Sequence, residues 1–363
     1  MSFVGSNGLA EYLPQNKRTK LLEKTTTNHG QLKKTAWVYC FNIKKTKFPK
    51  CRCNIVLHKY LLYCMALYTN FQLNNVMKIL ATVQNKGGVG KTTICRLLCE
   101  YLCRKNKRVL GIDLDSQCNF SRRFLTMEID NTDLDGVLPP IHPDFDEKED
   151  SNWDGRSSSA DIFYSGQAMP YPTRIKGLEI MPGNGTLLRA VELVRADDVK
   201  EKVHDRLHAF LCNEDVQSLY DVVIIDTSPS KGPLTISAMR AATHIIIPTT
   251  MEPQTIEGLH GMLQLWRRET KRRRRGEELK IIGILPNMFR KGVALHDGLY
   301  HTLANDPGIV DLLMPNKLGL RIAFAESDHP MSEPKSVFDL AEKDPARIEA
   351  EIVCEHILEK IFS

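Results

Sequence analysis

The chain has 363 residues, of which 42% are hydrophobic and 26% charged. That is enough for one large α/β domain with additions, or two modest domains, with a real core. The net charge of +5 is unevenly divided: residues 1–76 carry 12 Lys/Arg against 2 Asp/Glu, a net of +10, while the remainder, with 37 basic and 42 acidic residues, stands at −5. Overall charge therefore gives the larger body no claim to nucleic acid.

Residues 1–76 show no sustained period of 2 or 3.6 and read as a basic extension, disordered or loosely ordered. Cys51, Cys53 and His58 resemble a fragment of a metal site, but no second ligand pair follows. The sequence leaves open whether Met77, directly ahead of a strand, is the true start. No basic, then apolar, then small-residue signal opens the chain. Its longest apolar run, Tyr60 to Tyr68, is far short of the roughly 20 residues that span a bilayer. Among ten cysteines there is no C-x-x-C pair, which disfavours Cys-ligated zinc or iron–sulfur and fits a reducing cytoplasm. Cys95, Cys99 and Cys103 recur every four residues and read as helix packing.

From residue 77 the chain alternates short β-branched runs with helical periods. Strands are expected at 78–83, 108–115, 178–183, 221–229, 243–249 and 280–287. Helices are expected from the glycine-rich loop to about 104, over about 185–212, 255–274 and 344–361. Residues 128–177, rich in Asp, Pro and Ser, break the rhythm and read as a surface insertion, partly mobile. The pattern predicts an α/β fold: a mostly parallel, doubly wound sheet with helices on both faces, in a domain spanning 77–363.

The chemistry concentrates in "NKGGVGKTT", between the first strand and its helix. Gly87, Gly88 and Gly90 let backbone amides, that of Val89 included, turn toward an anion, and the helix presents its positive end there. Lys91 is placed to reach β- and γ-phosphates, with Thr92 on Mg²⁺ and Thr93 beside it. In "YDVVIIDTSPS", a buried strand carries Asp226 to its carboxyl end, where ligands bind in open α/β sheets, and Asp226 is expected to hold Mg²⁺. Asp113 and Asp115 end another strand two residues apart, on one face.

The loop departs from the ordinary phosphate-loop pattern: Asn85 stands where a glycine is expected, and a second lysine, Lys86, precedes the glycines. In this it resembles the deviant Walker A box of the ParA/MinD family of P-loop NTPases. The resemblance covers about 77–345. It implies that ATP is held between two subunits and that Lys86 is the signature lysine reaching the partner's phosphates. It also implies that Asp115 positions the attacking water and that Asp113 belongs to the metal and phosphate shell. Asn287, in "LPNMF", falls where the family contacts adenine, although an asparagine there is equally a turn former.

Three branches of the family compete. An iron–sulfur relative lacks its bridging cysteines. A MinD-like ATPase needs a basic amphipathic C-terminal helix, and here that helix is flanked by Glu349, Glu351, Glu355 and Glu359, so it is expected to pack on the domain, away from membrane. A ParA-type ATPase partitioning plasmid or chromosomal DNA needs a site for phosphate backbone. Arg267, Arg268, Lys271, Arg272, Arg273, Arg274 and Arg275 supply a candidate, with Arg321 from the partition-type segment as a second; a solvated helix end is the plainer reading. The reading is a cytoplasmic, nucleoid-associated ATPase. It forms an ATP-dependent homodimer, binds DNA without sequence preference, and is released when a ParB-like centromere-binding protein stimulates slow hydrolysis. The alternatives are a MinD-like ATPase positioning division or another cargo, and an ATP-switched transcriptional repressor.

Overall fold

In chain order the elements are β1 (Lys78–Thr82), α1 (Lys91–Arg104), β2 (Val109–Leu114), α2 (Asn119–Phe124), β3 (Glu128–Ile129), β4 (Val137–Leu138), α3 (Asp161–Tyr164), β5 (Tyr171–Pro172), β6 (Leu178–Met181), α4 (Gly185–Glu192), α5 (Asp197–Leu211), α6 (Glu214–Leu219), β7 (Val222–Thr227), α7 (Pro233–Ala241), β8 (His244–Thr250), α8 (Pro253–Lys271), β9 (Lys280–Asn287), α9 (Ala294–Ala304), α10 (Ile322–Glu326) and α11 (Pro345–Phe362). The computed structural model describes residues 77–363 except 134–135, 165, 167, 274–276 and 328–335. The basic extension with Cys51, Cys53 and His58 lies outside the described residues. So do Arg274, Arg275 and part of the partition-type segment.

Seven strands form one sheet in the order β5-β6-β2-β7-β1-β8-β9. All pairs are parallel except the edge pair of β5 with β6. Each central strand is a continuous apolar run because both of its faces are covered: every residue of β2, β7 and β8 is buried. Alternation then sorts side chains between two cores. Leu80, Val222, Ile224 and Ile246 pack with α1 and α11 on one face. Ile79, Ala81, Val223, Ile225 and Ile245 pack with α5, α7 and α8 on the other.

The chain starts in the middle of the sheet, moves to β2, fills β7 between them, and then leaves to the far side through β8 and β9. Such a reversal opens a crevice at the carboxyl ends of the central strands. Register sets the crevice floor: Asp226 of β7 lies beside Thr82 of β1 on one side and Asp113 of β2 on the other.

The expected strands are all present. The helix expected over 185–212 is two, α4 and α5, separated by residues 193–196. The helix expected to reach 274 ends at Lys271. α11 packs as expected, burying Ala346, Ala350, Val353, Cys354, Ile357 and Ile361. The 128–177 insertion is more than surface: Ala160, Ile162, Phe163, Met169 and Tyr171 are buried, and β5 extends the sheet. Its apolar anchors are too short and scattered to show a period. Among the described residues, no helix is long and apolar enough to cross a membrane.

Candidate active site

The glycine loop turns from β1 into α1. Gly88 (φ 74°) and Gly90 (φ 86°) occupy the left-handed region, which side chains with a Cβ rarely adopt. Gly90 caps α1, whose first turn carries no acidic residue, so its amides and dipole are left to an anion. Behind the loop, Asn287 at the end of β9 donates from Nδ2 to the Val89 carbonyl at 2.8 Å. A Cβ at Gly90 would stand 2.2 Å from that amide. Asn287 is therefore a brace for the loop, a role the sequence did not reveal, and its Oδ1 and second Nδ2 hydrogen are not used by that bond.

Lys91 is 6% exposed, and burial pulls its pKa below the ordinary lysine value against the opposing pull of Asp226 and Asp115. Thr92 Oγ1 donates to Asp226 Oδ2 at 2.7 Å. Asp226 is fully buried, and desolvation, followed by the neighbouring Asp113, raises its pKa to about 8. Asp113 is raised to about 6 by burial, even though it accepts from the Asp115 amide (3.0 Å), the Ser121 amide (2.9 Å) and the Ser121 hydroxyl (2.6 Å). Asp115 is partly exposed and accepts from the Gln117 amide at 3.0 Å. Cys95, one turn into α1, lies against Thr82 and, at 3.8 Å, against Asp226 Oδ1, so its place is packing beneath the site.

Three carboxylates thus share one lysine. That charge deficit, with hard oxygen donors from Thr92 and Asp226, fits a Mg²⁺ ion. The glycine loop and Lys91 fit the phosphates of a nucleotide.

Lys86 is partly exposed and donates to Gln254 Oε1 on α8 at 2.8 Å. Asn85 leans on the same helix: a Cβ at Gly258 would stand 2.8 Å from its Oδ1. The departure from glycine at 85 thus accompanies close backing of the loop by α8. Thr93 follows on α1, partly exposed.

The basic cluster is more divided than its sequence suggests. Arg273 donates to the Arg240 and Ala242 carbonyls at 3.0 and 2.8 Å and also to that of Met239, closing the carboxyl end of α7. This removes Arg273 from a phosphate-binding patch. Arg268 pairs with Glu269 and Arg272 with Glu201. Arg321 is held by both oxygens of Glu349, its Nε 3.2 Å from Oε2. Arg267 and Lys271 are exposed, and neither has an ion pair among the described residues.

Residues 77–281 match the family model of an AAA domain, AAA_31. An uncharacterised protein of Pseudomonas putida is 32% identical over 245 residues, covering 67% of this chain and 82% of the relative. The chromosome-partitioning ATPase Soj of Thermus thermophilus is 28% identical over 219 residues, covering 58% of this chain and 69% of Soj. The fold is shared with McdA of Cyanothece in its ATP complex, at a TM-score of 0.59 and 17% identity over 78% of this chain and 96% of McdA. On the family match, which spans more than half the sequence, and on the likeness to partitioning relatives, this chain belongs to the ParA/MinD family of P-loop ATPases.

Proposed function

We propose that the protein is a ParA-type ATPase that partitions DNA, and that ATP binding assembles its homodimer. The observation that carries this reading is the group of buried Lys91, Asp113 and Asp226 with half-buried Thr92, under a glycine loop that also carries Lys86. The Soj relative, named as a chromosome-partitioning ATPase, supports the cellular role.

In this reading the loop amides and Lys91 bind and orient the phosphates, and Thr92 and Asp226 hold Mg²⁺. The ion, when bound, neutralises charge on the phosphates, which is the main demand of phosphoryl transfer. Asp113, fixed by Ser121, keeps the Asp115 loop in place, and Asp115 orients the attacking water. Lys86 leaves Gln254 and reaches the partner subunit's nucleotide, so that dimerisation and hydrolysis both depend on ATP. Arg267 and Lys271, with Arg272 released from its exposed pair with Glu201 and Arg268 from its half-buried pair with Glu269, offer phosphate contacts without base readout. Hydrolysis is slow until a ParB-like partner acts, and the protein resides in the cytoplasm on nucleoid DNA.

The test is co-sedimentation of the full chain with random-sequence DNA, with ATP, with ADP and with no nucleotide, alongside ATP turnover. Retention that is strongest with ATP supports the reading. Retention equal in all three excludes an ATP-switched DNA binder.

A further inference from the structure

Helix α4 touches both loops that the proposed reaction uses. At its amino end, the Gly183 amide donates to Ser121 Oγ at 2.9 Å, and that hydroxyl donates to Asp113 Oδ2. The turn into α4 lies directly on the Asp115 loop: a Cβ at Gly185 would stand 2.8 Å from the Ser116 carbonyl, and one at Gly183 would stand 2.8 Å from Cys118 Sγ. At its carboxyl end, the Glu192 carboxylate accepts from the Leu234 amide at 3.2 Å and from the Ser230 hydroxyl. Ser230 in turn accepts from the Gly232 amide at 3.1 Å, and Gly232 is where a side chain would collide with Glu192. The carboxylate therefore sits at the positive end of α7 and grips the loop that leaves Asp226. α4 is eight residues long, a rigid rod of about 12 Å.

We propose that Glu192 is a positioning residue. Through α4 it holds the loop after β7 in register with the Asp115 loop, so that the two close around the phosphates as one unit. This rests on the ATPase reading for its consequence in turnover, but the mechanical link itself is a property of the nucleotide-free protein.

The test compares full-length wild type with Glu192→Ala and Glu192→Gln by amide hydrogen exchange without nucleotide, and by ATP turnover. Glu192→Ala is expected to speed exchange at Gly232 and Leu234 and also at 116–118, by about tenfold in each. It is expected to lower kcat at least about fivefold with KM for ATP held within about twofold, while Glu192→Gln, which keeps an acceptor, recovers most of the loss. Faster exchange confined to 230–234, or an unchanged kcat, overturns the proposal. A wild type that binds no fluorescent ATP analogue would refute the ATPase reading instead, and the exchange result then decides the α4 linkage alone.

Discussion

Thr92 Oγ1 lies 2.7 Å from Asp226 Oδ2, joining the first turn of α1 to the carboxyl end of β7 across 134 residues of sequence. In the proposed reading the pair supplies the hydroxyl and carboxylate of a Mg²⁺ site. Thr92→Ala should cut ATP affinity at least about tenfold in Mg²⁺ and by little in EDTA. Calorimetric titration under both conditions reads the difference, and equal losses in the two would contradict the assignment.

Asp226 also gives the nucleotide-free protein a pH dependence of defined sign. Its folded pKa, about 8, lies above the unfolded value of 3.8. Between these values the folded chain holds a proton that the unfolded chain has lost, so this group's contribution to stability is present below pH 4 and fades as pH rises to about 8. Asp226→Asn removes the ionisation. Its melting temperature should exceed that of wild type by several degrees near pH 8, and the gap should shrink at about pH 5. Scanning calorimetry across this range checks the trend; a variant less stable than wild type at pH 8 would reverse it.

Asn287 and Gly90 separate loop bracing from base recognition. Gly90→Ala meets both a positive φ and the Asn287 amide, and should abolish nucleotide binding. Asn287→Ala leaves the Val89 carbonyl without its donor, a loss of about 1–3 kcal/mol if water does not replace it. ATP and GTP affinities should then fall together. A loss of ATP preference over GTP with little change in overall affinity would support the adenine-contact reading instead.

Much of the fold and the site is legible in the sequence, for identifiable reasons. The central strands are buried on both faces, so Val222–Ile225 and Ile245–Ile247 stand out as unbroken apolar runs. The phosphate loop is local, so Gly87 to Thr92 can be read without knowing anything distant. What escapes reading depends on long-range approach. Nothing around Asn287 announces Val89, 198 residues away, and nothing around Gln254 announces Lys86. The arginine run misleads for the same reason: Glu201 and the carbonyls of α7 decide which of its cations are engaged, and they come from elsewhere in the chain.

That division is testable. Arg267→Ala with Lys271→Ala should weaken DNA binding and reduce the slope of log affinity against log salt by about 2. Arg273→Ala should instead destabilise the fold by about 2 kcal/mol, because it strips charged hydrogen bonds from the Met239, Arg240 and Ala242 carbonyls at the carboxyl end of α7. Filter binding over a salt series and urea unfolding read the two effects. A larger change in salt slope from Arg273→Ala than from the double variant would place the patch elsewhere.

In the proposed reading Lys86 acts on a partner's nucleotide while Lys91 acts on its own. The most direct measurement is the mass of the full chain in solution by analytical ultracentrifugation, with and without ATP, for wild type, Lys86→Ala and Lys91→Ala, each paired with an ATP titration. Wild type should dimerise only with ATP. Lys91→Ala should lose ATP binding and the dimer together, whereas Lys86→Ala should keep ATP affinity within about threefold and lose the dimer. A Lys86→Ala protein that binds ATP and still dimerises would contradict the account.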